Sequence, residues 1–336
     1  MESLAVKYRP KTFDDVIEQD TIKIILQQQI ISGSIKNAYL FCGPAGDGKT
    51  TCARIFANEI NQNKGNPIEL DAASHNGVDD VREVIKQAQT KSLDSEYKIF
   101  IIDECHSISN TGWQAFLKLL EEPPAKSIFI FCTTDPQKIP KTILSRIQRY
   151  DFQRISHKGI LDRLRYICDR EVCGEDGLVR LEALEYIAKL ADGHMRDAIT
   201  MLDKCLAYSK DLTLDTVVKA LGVADYSEMF TLLNWIVLKD SSQVVSIIES
   251  VYMNGKDLKQ FMRLFTDFIL DIYKYKILKS FDYVSIPNTY ESEMKKFIDA
   301  DLFHLLNVLI RLNSDLKWEQ FPKAVIESTL LVEVLI

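Results

Sequence analysis

The chain has no long apolar run. None approaches the roughly 20 residues that a membrane-spanning helix requires, and the N-terminus, MESLAVKYRPKTFDD, lacks the apolar stretch of a signal peptide. A cytoplasmic protein without a membrane partner is therefore expected. Glycine (13) and proline (9) are sparse among 336 residues, which argues against a disordered or fibrous chain. There is no C-x-x-C pair among Cys42, Cys52, Cys105, Cys132, Cys168, Cys173 and Cys205. Seven is an odd number, and most of these cysteines sit in apolar runs, as buried free thiols do in a reducing compartment. The closest spacing, Cys168 to Cys173, has no second pair of Cys or His nearby, so no zinc site is expected. Nor is there an excess of basic residues: the net charge of −7 excludes a protein that is basic all over, but not a local phosphate-binding track.

What is present is an ordinary globular composition, 46% hydrophobic and 26% charged, in a chain long enough for two or three domains at roughly 100 to 200 residues each. From about Asn37 to Phe152, short β-rich runs (NAYLFCG, PIELDA, KIFIIDE, SIFIFCTT, QRYDF) alternate with longer amphipathic stretches. This predicts a parallel α/β sheet with helices on both faces, because parallel strands need crossover helices and are buried on both sides. After about Ser156 the period changes to helical, with Leu161, Leu164, Ile167 and then Leu184, Ile187, Ala188, Ala191 at three- and four-residue spacing. A small helical domain ends near Gly222. Leu258, Phe261, Phe265, Phe268, Ile269 and Ile272 then mark one long helix and Ala324 to Leu335 another, with DYVSIPNTYESEMKK read as a loop between helices. The expected domains are 1–156, 157–222 and 223–336, an α/β nucleotide-binding domain followed by a helical lid and an all-helical collar.

Two motifs carry chemistry. GPAGDGKT fits G-x-x-x-x-G-K-[ST], and it follows the strand NAYLFC and opens the helical run TCARIFANEI. Glycines let backbone N–H groups turn inward around phosphates, and the helix N-terminus adds partial positive charge. The expected ATP contacts are Gly43, Pro44, Ala45, Gly46, Asp47, Gly48, Lys49, Thr50 and Thr51, with Lys49 reaching the β and γ phosphates and Thr50 ligating Mg²⁺. KIFIIDE is a buried strand ending in two acids. Asp103 is the expected second Mg²⁺ ligand and Glu104 the base that polarises the attacking water, against the alternative of two merely solvated carboxylates.

Four further segments, KYRPKTFDDVIEQD, DAASHNGVDDVRE, LLEEPPAKSIFIFCTTDPQKIPKTILSRIQRYDF and GHMRDAITMLDK, resemble the clamp-loader ATPases of the AAA+ class, most closely the gamma/tau subunits of bacterial DNA polymerase III. The resemblance covers residues 4 to 222 through motifs and the rest in pattern. It implies adenine-side contacts at Tyr8, Arg9, Pro10 and Val16, a sensor-1 group at Thr133 and Thr134, and a sensor-2 arginine at Arg196. It also implies a finger at Ser145 and Arg146 that reaches a neighbour's site. The implied cofactors are ATP and Mg²⁺. The implied partners are a sliding clamp, primed DNA and other loader subunits in a five-member ring. DNA phosphates would meet His75, Asn76 and Lys118, with Arg82 a weaker candidate, although each of these also reads as a solvated surface residue. The sequence departs from the family pattern at several points. Only NQNKGNPI stands where a zinc module is common, Ile147 follows the finger in place of Cys, and the phosphate loop carries Ala45 and an acid, Asp47, which repels phosphate. The polymerase- and helicase-binding extension of longer relatives is not expected after Ile336. A non-catalytic loader subunit and a branch-migration helicase are the competing readings.

Overall fold

In the computed structural model, residues 2–75, 77–92, 94–172, 178–222, 226–281, 283–284, 286 and 290–334 are described. They form two compact units, Met1–Cys173 with Leu190–Asp203, and Gly174–Lys189 with Lys204–Ile336.

The first unit runs through α1 (Leu4–Lys7), α2 (Asp20–Ser32), β1 (Ala38–Cys42), α3 (Lys49–Ile60), β2 (Ile68–Asp71) and α4 (Val78–Ala88). It continues through β3 (Lys98–Asp103), α5 (Asn110–Glu121), β4 (Ser127–Thr133), α6 (Lys141–Leu144), β5 (Gln148–Asp151) and α7 (His157–Glu171). All five apolar runs become strands, paired in parallel in the order β2-β3-β4-β1-β5. Each uninterrupted run divides by parity between two cores, because successive side chains leave a strand on opposite faces. Tyr39, Phe41, Ile99, Ile101, Ile130 and Cys132 pack against Ile55 and Phe56 of α3. Leu40, Phe100, Ile102, Phe129 and Phe131 pack against Val81 and Val84 of α4 and Trp113 and Phe116 of α5. Burying each such large side chain contributes about 1.5–3 kcal/mol. Caps set the helix starts: Ser109 Oγ accepts from the Gly112 amide at 3.1 Å before α5, and Ser156 Oγ from that of Gly159 at 3.0 Å before α7.

The strand order decides where a ligand can sit. The chain leaves β1 for the far edge at β2, returns through β3 and β4 to β1, and adds β5 on the other side. With every strand pointing the same way, the segments after Cys42, Asp103 and Thr133 all emerge at one edge, with Cys42 in register with Thr133. This is the edge at which open α/β sheets bind ligands.

Two helices, α8 (Leu181–Ala191) and α9 (Met195–Tyr208), cross the unit boundary. The second unit continues with α10 (Leu214–Leu221), α11 (Tyr226–Val237), α12 (Ser241–Met253), α13 (Leu258–Leu278), α14 (Glu291–Lys295), α15 (Leu302–Leu316) and α16 (Pro322–Thr329). Among the described residues no strand follows β5, only an isolated bridge between Val179 and Leu212. The six apolar positions predicted to mark one long helix are all buried in α13, whose start is capped by the Asp257 carboxylate accepting from Lys259 and Gln260. Asn313 of α15 donates to Thr266 Oγ1 of α13 at 2.6 Å, and Phe268 meets Phe230 of α11 edge-on at 4.7 Å between ring centroids.

Two sequence expectations change. The loop assigned to DYVSIPNTYESEMKK extends too far, because Glu291–Lys295 is helical: past Pro287 nothing breaks a helix, and the Glu291–Lys295 pair at 2.8 Å supports one turn. The helix placed at Ala324 to Leu335 begins two residues earlier at Pro322, where a first-turn proline costs no amide bond, and widens to a π-helical turn over Leu330–Val334. Leu335 lies outside the described residues. No described helix is long and apolar enough to cross a membrane.

Candidate functional site

The phosphate loop leaves β1 at Cys42 and turns into α3 through glycines in the left-handed region, Gly46 at φ +73° and Gly48 at φ +98°. Gly43 is required for space, since a Cβ there would lie 2.2 Å from Asp47 Oδ2 and 2.7 Å from the Phe152 carbonyl oxygen. Inside the loop Lys49 and Asp47 are both buried, with Nζ and Oδ1 3.0 Å apart. Burial pushes the Asp47 carboxyl up from its ordinary range, against the pull of the Lys49 ammonium. Gly46 is held from the far side, where its carbonyl accepts the Met195 amide at 3.2 Å. That bond brings the start of α9, and with it Arg196, to the loop.

The acidic side comes from β3. Thr50 Oγ1 donates to Asp103 Oδ2 at 2.8 Å, which joins the start of α3 to the strand end. Glu104, the residue after β3, is in the left-handed region at φ 47°, a rare conformation outside glycine. The carboxylate accepts from Thr134 Oγ1 at 3.2 Å and lies 3.2 Å from His106 Nδ1. Thr133 differs from its neighbour: its hydroxyl is fully buried, accepts the Asp135 amide at 3.0 Å and lies 3.2 Å from the same His106 nitrogen.

The KYRP segment is anchored by α7. Glu171 accepts from Lys7 Nζ at 2.6 Å and from the Tyr8 hydroxyl, and buried Arg163 donates to the Tyr8 carbonyl at 2.7 Å. The two hydrogen bonds, that of Lys7 foremost, hold the Glu171 carboxyl below its usual range. Burial, followed by Glu171, pushes the Tyr8 phenol up to about 12.

These pieces enclose one cleft of about 540 Å³. Of the residues singled out from sequence, Tyr8, Arg9, Pro10, Val16, Ala45, Gly46, Asp47, Gly48, Lys49, Thr50, Thr51, Asp103, Glu104 and Arg196 line it. Gly43, Pro44, Thr133 and Thr134 do not line it. Arg196 is exposed and has no ion-pair partner among the described residues. Sequence reasoning missed Arg163, Glu171 and His106. His106 carried a signal, lying two residues beyond Glu104 in a short 3₁₀ turn. Arg163 and Glu171 carried none, because their partners Lys7 and Tyr8 lie more than 150 positions away.

Other candidates lie elsewhere. Arg146 pairs with Glu121 of α5 at 2.7 Å and donates to the Thr142 carbonyl at 2.7 Å, and Ser145 Oγ donates to the same carbonyl. His75 is exposed in the turn after β2, Lys118 is exposed on α5, and Arg82 pairs with Asp79 at 3.0 Å. Asn76 lies outside the described residues.

A family model described as "DNA polymerase III, delta subunit" matches residues 64–156, and one described as "DNA polymerase III subunits gamma and tau domain III" matches residues 212–309. The DNA polymerase III subunit tau of Bacillus subtilis (strain 168) is 33% identical over 95% of this chain and 61% of its own length. The chain is a relative of the DNA polymerase III gamma and tau subunits. The gamma/tau subunit of Mycoplasma genitalium (strain G37) is a further relative, 31% identical over 89% of this chain and 53% of its own. The chain thus spans between about half and three fifths of these two relatives. Among solved structures, the Thermotoga maritima RuvB Holliday junction branch migration motor superposes with a TM-score of 0.53 over 69% of this chain and 80% of that one, at 22% identity. That likeness shows the fold alone: a parallel sheet with helices on both faces, followed by further helices.

Proposed function

We propose that the chain is an ATP-hydrolysing motor subunit of a sliding-clamp loader, which opens a ring-shaped clamp and places it on primed DNA. The observation that carries this reading is the meeting of phosphate loop, paired acids and Arg196 at one cleft, in a relative of the gamma and tau subunits. The residues there suit a nucleoside triphosphate with magnesium. The loop presents backbone amides and the start of α3 to an anion, and Thr50 with Asp103 offers hard oxygen donors of the kind Mg²⁺ takes. When bound, the metal would neutralise charge on the β and γ phosphates. Lys49 holds those phosphates, Arg196 approaches the same group, and Tyr8, Arg9, Pro10 and Val16 close the far end on the base. Glu104 takes the proton of the attacking water, and Thr134 sets the direction of its carboxylate. ATP is cleaved to ADP and phosphate, with Arg146 serving a neighbouring subunit.

The same proposal includes a five-member ring, a division into nucleotide-binding, lid and collar domains at 1–156, 157–222 and 223–336, and DNA phosphate contacts by His75, Asn76 and Lys118. A non-catalytic loader subunit is the weaker reading, since such a subunit has no use for Lys49 or Glu104. The test is ATP turnover by the purified chain with its loader partners. Stimulation by clamp and primed DNA together is expected. Turnover that responds to neither would overturn the proposal.

A further inference from the structure

The Lys49 ammonium has three N–H bonds, and the loop that carries it takes up all three. Nζ donates to the Gly43 carbonyl at 2.8 Å, to the Pro44 carbonyl, and to Asp47 Oδ1 at 3.0 Å. Two of these acceptors are backbone, which any sequence provides, and the third is a side chain that this sequence supplies. Asp47 is only 1% exposed, and its Oδ1 also accepts the Lys49 amide at 3.3 Å. Its other oxygen, Oδ2, is buried with no hydrogen-bond partner. A half-satisfied buried carboxylate is costly to keep, and here its one counter-charge is the lysine that a phosphate would need. A phosphate can take Lys49 only by drawing the ammonium off at least one of its three acceptors, and Asp47 is the charged one. Once that bond is gone, Asp47 remains buried without a counter-ion beside a polyanion.

We infer that Asp47 is an affinity-determining residue of the nucleotide site, an internal anion that competes with nucleotide phosphate for Lys49 and holds ATP affinity down. The inference rests on the nucleotide-binding reading above. Gly43 leaves room for Oδ2, which would lie 2.2 Å from a Cβ at that position. The competition is electrostatic, so its size follows the charge of the ligand. One unit charge a few ångströms from a triphosphate in partly buried surroundings is worth about tenfold or more in affinity.

The test is titration of the whole chain with a fluorescent ATP analogue and Mg²⁺, followed by competition with ATP, ADP and adenosine. Asp47→Asn, which keeps the shape and removes the charge, is expected to lower the ATP Kd about tenfold and to leave adenosine, which has no phosphate, unchanged. Asp47→Thr, neutral and smaller, is expected to do the same and serves if the first variant does not fold. An ATP Kd unchanged or raised in the folded neutral variants would overturn the inference. So would an equal gain for adenosine, which would mark a reshaped cleft. Absence of ATP binding by wild type and variants alike would instead overturn the nucleotide reading, and this inference with it.

Discussion

At the scale of single residues, the proposed function separates holding from reacting. Lys49 sits inside the loop that would cradle phosphate, whereas Glu104 follows the end of β3 with a left-handed backbone and accepts a hydrogen bond from Thr134. Lys49→Ala is therefore expected to abolish ATP binding, while Glu104→Gln binds ATP and loses turnover by at least about 100-fold, the usual order for a positioned general base. Equilibrium binding and single-turnover hydrolysis measured on both variants check the split, which fails if Lys49→Ala binds like wild type. Glu171 makes a second residue-scale prediction. Its folded carboxyl is held below the ordinary glutamate range by Lys7 and then Tyr8, so the anchoring it gives residues 7 and 8 is present above the unfolded pKa and lost as pH falls through the folded one. Proteolysis near Lys7 is expected to accelerate as the pH drops below about 4.5. In Glu171→Gln it is expected to be fast already at pH 7.

At the scale of elements, β1, β3 and β4 were legible because each is an unbroken apolar run with aromatic or β-branched residues, while β2 and β5 are four-residue strands in which apolar and polar residues mix. Which of two cores each residue joins follows from parity alone once the sheet is parallel. The long helix α13 was legible from its apolar spacing, and that spacing predicts its energetics. Phe268→Ala removes a ring with no exposed surface that contacts both Phe230 and Phe265. A loss of about 3–5 kcal/mol is expected in denaturant unfolding of the second unit, and a change under about 1 kcal/mol would mean that the site collapses around the cavity. The α14 turn was not legible, because Pro287 and the polar residues around it dominate a window in which one ion pair supports five helical residues. For the site, the motifs located the loop and the acids, while the anchors on α7 depend on contacts that no local pattern records.

At the scale of the whole molecule, the proposed ring depends on whether Arg146 can leave its own chain. Its ion pair with Glu121 joins two half-exposed side chains, and such surface pairs are worth only about 0–1 kcal/mol. In the proposed ring, so weak a pair would cost little to exchange for a neighbour's phosphate. Arg146→Ala is expected to bind ATP normally and to lose about 10³-fold or more of the clamp- and DNA-stimulated turnover, the scale of arginine fingers elsewhere. Mixed rings of Arg146→Ala and Lys49→Ala subunits would pair some sound sites with sound fingers and regain part of the activity. Mixed rings no more active than either variant, despite normal assembly, would place Arg146 in a structural role.

The buried thiols bear on how the folded chain opens. Cys42, Cys52, Cys105, Cys132 and Cys168 lie in the first unit and Cys205 in the second, all buried and free. Burial pushes each thiol upward, Cys42 and Cys205 to about 11. At these six cysteines an alkylating reagent at neutral pH meets neither access nor thiolate while their surroundings are closed. Labelling at each of these six described cysteines thus becomes a clock for the opening of its own surroundings, five hands in one unit and one in the other, and a nucleotide that tightens the first unit alone would slow those five and leave the sixth running.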